Sequence, residues 1–151
     1  MIISKILVAV DGSTPSLDAA QKAINFAEKY GADLIALHVI SSNIRYEYNG
    51  DSLTPVFSGP LKEIVSMAME KGQKYVDEVK EMASSKTLNV RTDVLLAVTS
   101  VVKEVVEYAE KQNVDLIVLG TRGMSGFKRM LLGSTASGVI KYSHCPVLVV
   151  K

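Results

Sequence analysis

Five short apolar runs, separated by segments with helical periodicity, organise the chain. The first run, Ile6-Leu7-Val8-Ala9-Val10, has no polar interruption and ends at Asp11-Gly12. An apolar run of this length is typical of a strand covered on both faces, as in a parallel sheet. Similar runs predict four further strands at 34–40, 90–98, 116–119 and 147–150.

Four segments with apolar residues at helical spacing accompany these strands. The first follows Thr14 and extends to Gly31, and the second runs from Leu61 to about Ser85. We expect the helix boundaries to be Thr14 as N-cap, Pro15 as first helical residue and Gly31 as stop of the first helix, with Ser100 and Ser134 as N-caps of the third and fourth.

Strands that alternate with helices predict a single α/β domain over residues 1–151, with a doubly wound parallel sheet and right-handed crossovers. A weak repeat fits this architecture, because 32–37 and 114–119 are identical at four of six positions. Two strand-helix-strand units would place a ligand crevice at the carboxyl ends of the strands, where the winding direction switches. Buried strands of unrelated origin also resemble one another, so the repeat leaves that explanation open.

The segment 41–60 breaks the pattern. It contains two prolines, two glycines and no regular period over twenty residues. Loops of this length are uncommon unless they are mobile or functional. We expect a flexible, disordered loop, and the alternative is a lid over a ligand or a partner-binding flap built on Tyr46, Tyr48 and Phe57.

The composition narrows the class of protein. With 151 residues the chain has the length of one domain, and 17 basic against 16 acidic residues leave a net charge of +1, so we expect no nucleic-acid partner. No apolar run approaches the roughly 20 residues that span a bilayer, so we expect no membrane anchor. The single cysteine, Cys145, cannot form an internal disulfide, which makes the cytoplasm the default location.

Glycines cluster where a ligand would bind. Three lie in the seven residues 120–126, directly after the predicted fourth strand, and Gly133-Ser134 opens the fourth helix. Glycine allows close approach of backbone N–H groups to phosphate and positive φ angles, and a helix N-terminus adds unpaired donors. The pattern G-x2-G-x9-G-S therefore predicts a phosphate cradle, although the glycines could simply turn the chain. It matches neither the P-loop nor the dinucleotide fingerprint.

These features together resemble the universal stress proteins of the nucleotide-binding kind. Four segments carry the resemblance: the opening 6–13, the second strand ending Leu37-His38-Val39, the glycine pattern, and the closing 145–150. They cover the chain from the first strand to the last, apart from 41–60.

The resemblance implies a five-stranded parallel sheet of order 3-2-1-4-5, an adenine nucleotide alpha hydrolase-like fold, with ATP bound across the ends of strands 1, 2 and 4. Asp11 and Ala9 would meet the nucleoside, and Asp11 could also approach a phosphate-bound Mg²⁺ or Mn²⁺. Val39 would recognise adenine through its backbone. The residues implied around ribose and phosphates are Gly120, Thr121, Arg122, Gly123, Met124, Ser125, Gly126, Gly133, Ser134, Thr135 and Ala136.

Three functions stay open at this level. We favour an ATP-binding regulatory module in the stress response, with an unknown protein partner and hydrolysis slow or absent. The alternatives are a slow Mg-dependent ATPase and a dimeric stress factor without nucleotide. The apolar terminal strand at 146–150 predicts a homodimer through edge pairing. His38 and His144, which lack a metal-binding spacing, are expected to be structural, and Cys145 inert.

Overall fold

The computed structural model describes residues 1–41, 45–56, 61–121 and 132–151, with backbone alone at 45–49, 53–56 and Leu61. Its elements follow the chain in the order β1 (Lys5–Ala9), α1 (Thr14–Tyr30), β2 (Asp33–Ser41), β3 (Arg45–Asn49), β4 (Ser52–Val56), α2 (Leu61–Met82), β5 (Val90–Ala97), α3 (Val101–Lys111), β6 (Leu116–Gly120), α4 (Ser134–Tyr142) and β7 (Val147–Val150).

Five of these strands form one parallel sheet in the order β5-β2-β1-β6-β7. Counted along the sheet strands alone, this is the predicted order 3-2-1-4-5, so the α/β prediction is confirmed. β1 is central and pairs on one side with β2, up to Ala9 opposite Leu37, and on the other with β6, up to Val8 opposite Val118. Its Ile6, Leu7 and Val8 are fully buried, as the uninterrupted apolar run predicts.

Side chains on the two faces of the sheet build two separate cores. Ile6 and Val8 point to one face, where they pack with buried residues of α1 and α2. Leu7 points to the other face and packs with buried residues of α3 and α4. Successive residues of a strand alternate between faces, so the sheet has a helical layer on each side.

The helix ends agree with most of the expected boundaries. Gly31 ends α1 in the left-handed conformation (φ 63°), and Ser100 caps α3 by accepting a hydrogen bond from the N–H of Lys103 at 3.0 Å. The N-cap of α1 is Ser13, not Thr14. The hydroxyl of Ser13 accepts a hydrogen bond from the Ser16 N–H in the first turn of α1, whereas Thr14 is already helical.

Two further helix boundaries differ from the expectations. α2 ends at Met82, three residues before the expected end. Gly133 occupies the N-cap position of α4 without a side-chain hydrogen bond, and Ser134, the expected N-cap, is its first helical residue. In the described parts of the chain, no helix has the length and apolar character needed to cross a membrane.

The segment 41–60 contains regular structure that the sequence analysis did not expect. Residues 45–56 form an antiparallel hairpin, with Arg45 opposite Val56 and Asn49 opposite Ser52. Gly50 in the connecting turn has a φ of 66°, so the pair Gly50-Asp51 was the missed turn signal. The expectation of disorder is therefore wrong for residues 45–56. Flexibility of the segment 41–60 stays a prediction. Phe57 and the side chains of the two tyrosines lie outside the described residues, as does the lid or flap they would form.

Candidate functional site

A cleft of about 280 Å³ opens at the carboxyl ends of β1, β2 and β6, against the first turns of α1, α3 and α4. This is the sheet edge where the predicted crevice lies, between strands wound in opposite directions. Its lining is apolar where α3 contributes Val101 and Val105, and polar where α4 contributes Ser134 and Thr135. The lining residues are Ala9, Val10, Asp11, Ser16, Val39, Val101, Val105, Leu119, Gly120, Thr121, Gly133, Ser134, Thr135 and Ala136.

At the end of β1 the chain makes a tight turn that fixes an acidic side chain at the cleft. Oδ1 of Asp11 accepts hydrogen bonds from the Ser13 N–H, at 3.0 Å, and from the Ser13 hydroxyl. The intervening Gly12 has a φ of 80°, and a Cβ there would lie 2.4 Å from the ring of Tyr75. Only glycine fits this turn without strain, for both reasons. The Asp11 carboxylate is thus held in one orientation at the cleft.

The backbone of Val39 faces the cleft beyond the end of β1. Within β2, Leu37 turns its C=O toward β1 and accepts from the Val10 N–H at 2.9 Å. Two residues further on, Val39 must turn its N–H and C=O to the same side. The β1–β2 ladder stops at Ala9 opposite Leu37, so in the described part of the chain neither group of Val39 has a backbone partner there. An adjacent donor and acceptor are therefore available to a ligand.

The end of β6 needs glycine for space. A Cβ on Gly120 would lie 2.9 Å from the Pro15 carbonyl oxygen, which is closer than real contacts allow. The Thr121 carbonyl then accepts from the Gly133 N–H at 2.8 Å, which brings the start of α4 to the end of β6. Among the described glycines a positive φ occurs at Gly12, Gly31 and Gly50. The expectation of positive φ in the glycine pattern is therefore wrong at Gly120 and Gly133, and at Gly120 the close approach of Pro15 is the reason for glycine.

The N-terminus of α4 has no side-chain cap. Gly133 occupies the N-cap position and offers no acceptor, whereas the hydroxyls of Ser13 and Ser100 cap α1 and α3. The first-turn N–H groups of residues 134–136 therefore face the cleft without a capping side chain. Such groups, together with the positive end of the helix dipole, favour an anion. The hydroxyls of Ser134 and Thr135 line the cleft beside them.

The structure brings together nine of the fourteen predicted site residues. All nine line the cleft: Ala9, Asp11, Val39, Gly120, Thr121, Gly133, Ser134, Thr135 and Ala136. The other five, Arg122, Gly123, Met124, Ser125 and Gly126, lie outside the described residues. Five further residues line the cleft and were not predicted: Val10, Ser16, Val101, Val105 and Leu119. Val101 could have been found, because it follows a predicted N-cap and so begins a helix at the sheet edge.

The two histidines and the cysteine make contacts that fit structural roles. Nδ1 of His38 lies 2.7 Å from the Val10 carbonyl oxygen, and Nε2 of His144 lies 3.1 Å from that of Val114. Burial raises the pKa of the Cys145 thiol and the neighbouring Asp115 charge adds to the shift, so little thiolate is present at neutral pH. Among the described residues, no three His, Cys, Asp or Glu side chains form a group that could hold a metal ion.

These features define a class: a doubly wound parallel α/β protein with a polar and apolar cleft at the carboxyl edge of its sheet. Within that class, residues 3–151 match the model of the universal stress protein family. The chain is 40% identical to universal stress protein MJ0531 of Methanocaldococcus jannaschii, over 99% of this chain and 83% of that protein. It is 35% identical to YxiE of Bacillus subtilis, over 99% and 100%. The chain belongs to the universal stress protein family.

Solved structures share this fold. MJ0577 of Methanocaldococcus jannaschii superposes with a TM-score of 0.80 at 26% identity, over 100% of this chain and 97% of that one. A universal stress protein in complex with cAMP gives a TM-score of 0.65 at 24% identity, over 100% and 98%. A universal stress protein of Archaeoglobus fulgidus in complex with dAMP gives 0.68 at 19% identity, over the full length of both chains. The last two likenesses show the fold alone.

Proposed function

We propose that this protein is an ATP-binding regulatory module of the stress response, cytoplasmic, whose nucleotide occupies the cleft. The observation that carries the proposal is the convergence of two features in one cleft: the free backbone edge of Val39 and the uncapped N-terminus of α4. One is suited to a nucleobase and the other to phosphate. A nucleotide is the small-molecule class that needs both.

Adenine fits the β2 side of the cleft. Its N1 accepts a hydrogen bond and its exocyclic amine donates one, in the geometry that an adjacent backbone N–H and C=O require. The surrounding wall is apolar, with Val101, Val105 and Leu119 available to cover the ring faces. The Val39 backbone would thus select adenine over bases whose donors and acceptors are reversed.

The phosphates fit the α4 side. The N–H groups of residues 134–136 and the hydroxyls of Ser134 and Thr135 form a set of donors at the positive end of a helix. We propose that the neighbouring residues 122–126 wrap the ribose and phosphates. At about 280 Å³ the described cleft is slightly smaller than the roughly 300–1,000 Å³ that small-molecule sites occupy, so it suits a nucleoside with its first phosphate.

A divalent cation fits this site as a companion of the phosphates. Mg²⁺ commonly binds through one or two carboxylates together with substrate phosphates. Asp11 supplies one carboxylate, and only its Oδ1 is engaged by Ser13. We propose that Asp11 helps to hold Mg²⁺ or Mn²⁺ when a nucleotide is bound, where the cation would neutralise phosphate charge.

Relatives with the same fold support the ligand class. The solved complexes with cAMP and dAMP both contain an adenine nucleotide. For this chain we propose ATP as the ligand, with its own protein partner responding to the nucleotide state.

The described chemistry favours binding over turnover. Asp11 is the one acidic residue lining the described cleft, and no histidine or cysteine lines it. A committed hydrolase needs a general base or nucleophile positioned on the reacting atoms. A slow Mg-dependent ATPase, with Asp11 orienting water through the metal, is the alternative function that this single carboxylate allows.

The terminal strand supports a homodimer. β7 lies at the edge of the sheet and pairs with β6. The carbonyl of Pro146 accepts a hydrogen bond from the N–H of Ile117 in β6, and the carbonyl of Val150 accepts one from the N–H of Thr121, the residue after β6. By alternation, Val147 and Val149 turn their N–H groups away from β6. An edge of this kind invites a second strand. We propose that two copies pair through residues 146–150.

The test introduces a negative charge at the N-terminus of α4, where the phosphates are proposed to bind. Ser134→Glu places a carboxylate at the helix N-terminus, where it stabilises the helix but repels phosphate. We expect ATP affinity, measured by calorimetric titration with Mg²⁺, to fall at least about tenfold without loss of thermal stability. Gln21→Glu, the same charge change on the exposed face of α1, is the control and should leave affinity unchanged. Equal affinities for both variants, or no binding by the wild-type protein, would contradict the proposal.

Phosphate release separates the two candidate functions. A binding module releases no more phosphate than the amount of protein present. Steady turnover by the wild-type protein that Asp11→Asn abolishes would establish the slow ATPase instead.

A further inference from the structure

We propose that His38 is a positioning residue that keeps the backbone edge of Val39 open for adenine. The part that concerns adenine rests on the proposed function, whereas the part that concerns the strand stands by itself. His38 does not line the cleft, so it acts through the backbone of Val10.

Beyond the end of β1, the described part of the sheet lacks one hydrogen bond that a regular parallel ladder would make. Because the Val10 N–H bonds the Leu37 carbonyl, the next step of the parallel ladder would join the Val39 N–H to the Val10 carbonyl. The structure instead places Nδ1 of His38 at 2.7 Å from that carbonyl oxygen. A carbonyl oxygen only accepts, so Nδ1 carries the proton and donates. The His38 ring thus engages the carbonyl oxygen that the ladder would offer to the Val39 N–H, and no bond from Val39 to that oxygen is present in the described part of the chain.

Packing on the opposite face of the sheet holds the ring in place. His38 and Val39 are successive residues of β2, so their side chains point to opposite faces. The edge of the His38 ring meets the ring of Tyr75 from α2, with centroids 5.2 Å apart and planes at 77°. A Cβ on Gly72, one turn earlier in α2, would lie 2.6 Å from Cδ2 of His38. α2 therefore packs against the His38 ring at both Tyr75 and Gly72.

Removing the Nδ1 donor leaves the Val10 carbonyl without its partner in a part-buried position, which is unfavourable. The nearest replacement donor by strand register is the Val39 N–H. Extending the ladder by one bond would satisfy the carbonyl and consume the donor that reads adenine N1. The end of β2 thus has two alternative states. It is closed when the Val39 N–H bonds the Val10 carbonyl, and open when His38 bonds that carbonyl and leaves the Val39 N–H free.

The first experiment needs no ligand. Amide hydrogen exchange of Val39 is measured by NMR in the wild-type protein, in His38→Phe and in His38→Leu, which both lack the donor. We expect the Val39 amide to exchange at least about tenfold more slowly in both variants, as it joins the ladder. His38→Asn, whose side-chain amide can place an N–H where Nδ1 lies, should restore fast exchange. Unchanged exchange in whichever donor-free variant folds would overturn the proposal.

The second experiment reads base selectivity. Hypoxanthine reverses the adenine pattern, because its N1 donates and its O6 accepts, so ITP is the matched probe for ATP. We expect His38→Phe to lower the ratio of ATP to ITP affinity about tenfold, which is the worth of one such hydrogen bond. A structural defect alone would weaken both nucleotides together, and an unchanged ratio would contradict the role in adenine recognition.

His144→Phe is the matched control. It removes a histidine that also contacts a valine carbonyl, at the other end of the sheet near β6, outside the cleft. It should leave both the Val39 exchange rate and the ATP to ITP ratio unchanged, and a change equal to that of His38→Phe would overturn the assignment. If the wild-type protein bound no adenine nucleotide, the proposed function would fail, while the exchange experiment would still decide the role of His38 in the strand.

Discussion

Gly12→Ala tests whether the turn after β1 is built as the structure describes. Gly12 has a φ of 80°, a conformation that costs an L-residue roughly 1–2 kcal/mol. The new Cβ would also lie 2.4 Å from the ring of Tyr75, so the ring or the turn must move. Overpacking of this kind costs about 1–3 kcal/mol. We therefore expect Gly12→Ala to lower the free energy of unfolding by about 2–5 kcal/mol in total.

Gly31→Ala supplies the matched control for the backbone cost. Gly31 has a φ of 63°, and a Cβ there meets nothing within 4 Å. Its substitution should cost the conformational part alone, roughly 1–2 kcal/mol. Placing Gly12→Ala in a Tyr75→Leu background should remove most of the steric part, so the double-mutant cycle isolates it.

The free energies are measured by urea unfolding, with melting temperatures as a check. For a domain of this size each kcal/mol corresponds to roughly 2–4 °C. We expect Gly12→Ala to melt clearly below Gly31→Ala, and to weaken ATP binding because the same turn orients Asp11. Equal losses for Gly12→Ala and Gly31→Ala, with no coupling to Tyr75, would refute the described contact.

Three further predictions concern other parts of the molecule. Ser13→Ala and Ser100→Ala should each lower the free energy of unfolding by about 1 kcal/mol through loss of an N-cap, as measured by urea unfolding. Only Ser13→Ala should also weaken Mg·ATP binding, because Ser13 donates hydrogen bonds to Asp11. Burial by itself raises the pKa of Asp115, but hydrogen bonds from Ser4 and Lys5 lower this pKa overall. The ionised carboxylate therefore stabilises the folded protein above about pH 4, and this stabilisation is lost as the pH falls through the folded-state pKa. Asp115→Asn should lower stability at pH 7 and flatten the acid side of the pH–stability curve, whereas an unchanged curve would contradict this role. The raised pKa of Cys145 predicts slower alkylation by iodoacetamide at pH 7 than in the unfolded chain, and equal rates would show an accessible thiolate.

The alternation of strands and helices was readable because local pattern decides it. Buried parallel strands are apolar without interruption, and Gly31 and Ser100 mark helix ends by their own chemistry. The expected N-cap of α1 was wrong because a neighbouring residue offers the same chemistry. Ser13 and Thr14 both carry a hydroxyl, and the register of the helix gives the role to Ser13.

The cleft was predictable at its glycines and not at its apolar wall. Glycines in series after a buried strand have few explanations, and two glycines of the predicted pattern, Gly120 and Gly133, line the cleft. Val105 and Leu119 look in the sequence like any core residues, because only the packing of α3 against the sheet decides that they border a cleft. The hydrogen bond from His38 to Val10 depends on two strands meeting in register, which no local pattern contains.

The central claim is that an adenine nucleotide occupies the cleft at the carboxyl edge of the sheet. The direct test is to titrate the ¹⁵N-labelled, nucleotide-free protein with Mg·ATP and to follow each backbone amide by NMR. We expect saturable shifts that are largest at Val39, Gly120 and residues 133–136, with one nucleotide per chain. No saturable shifts, or shifts centred away from this cleft, would contradict it.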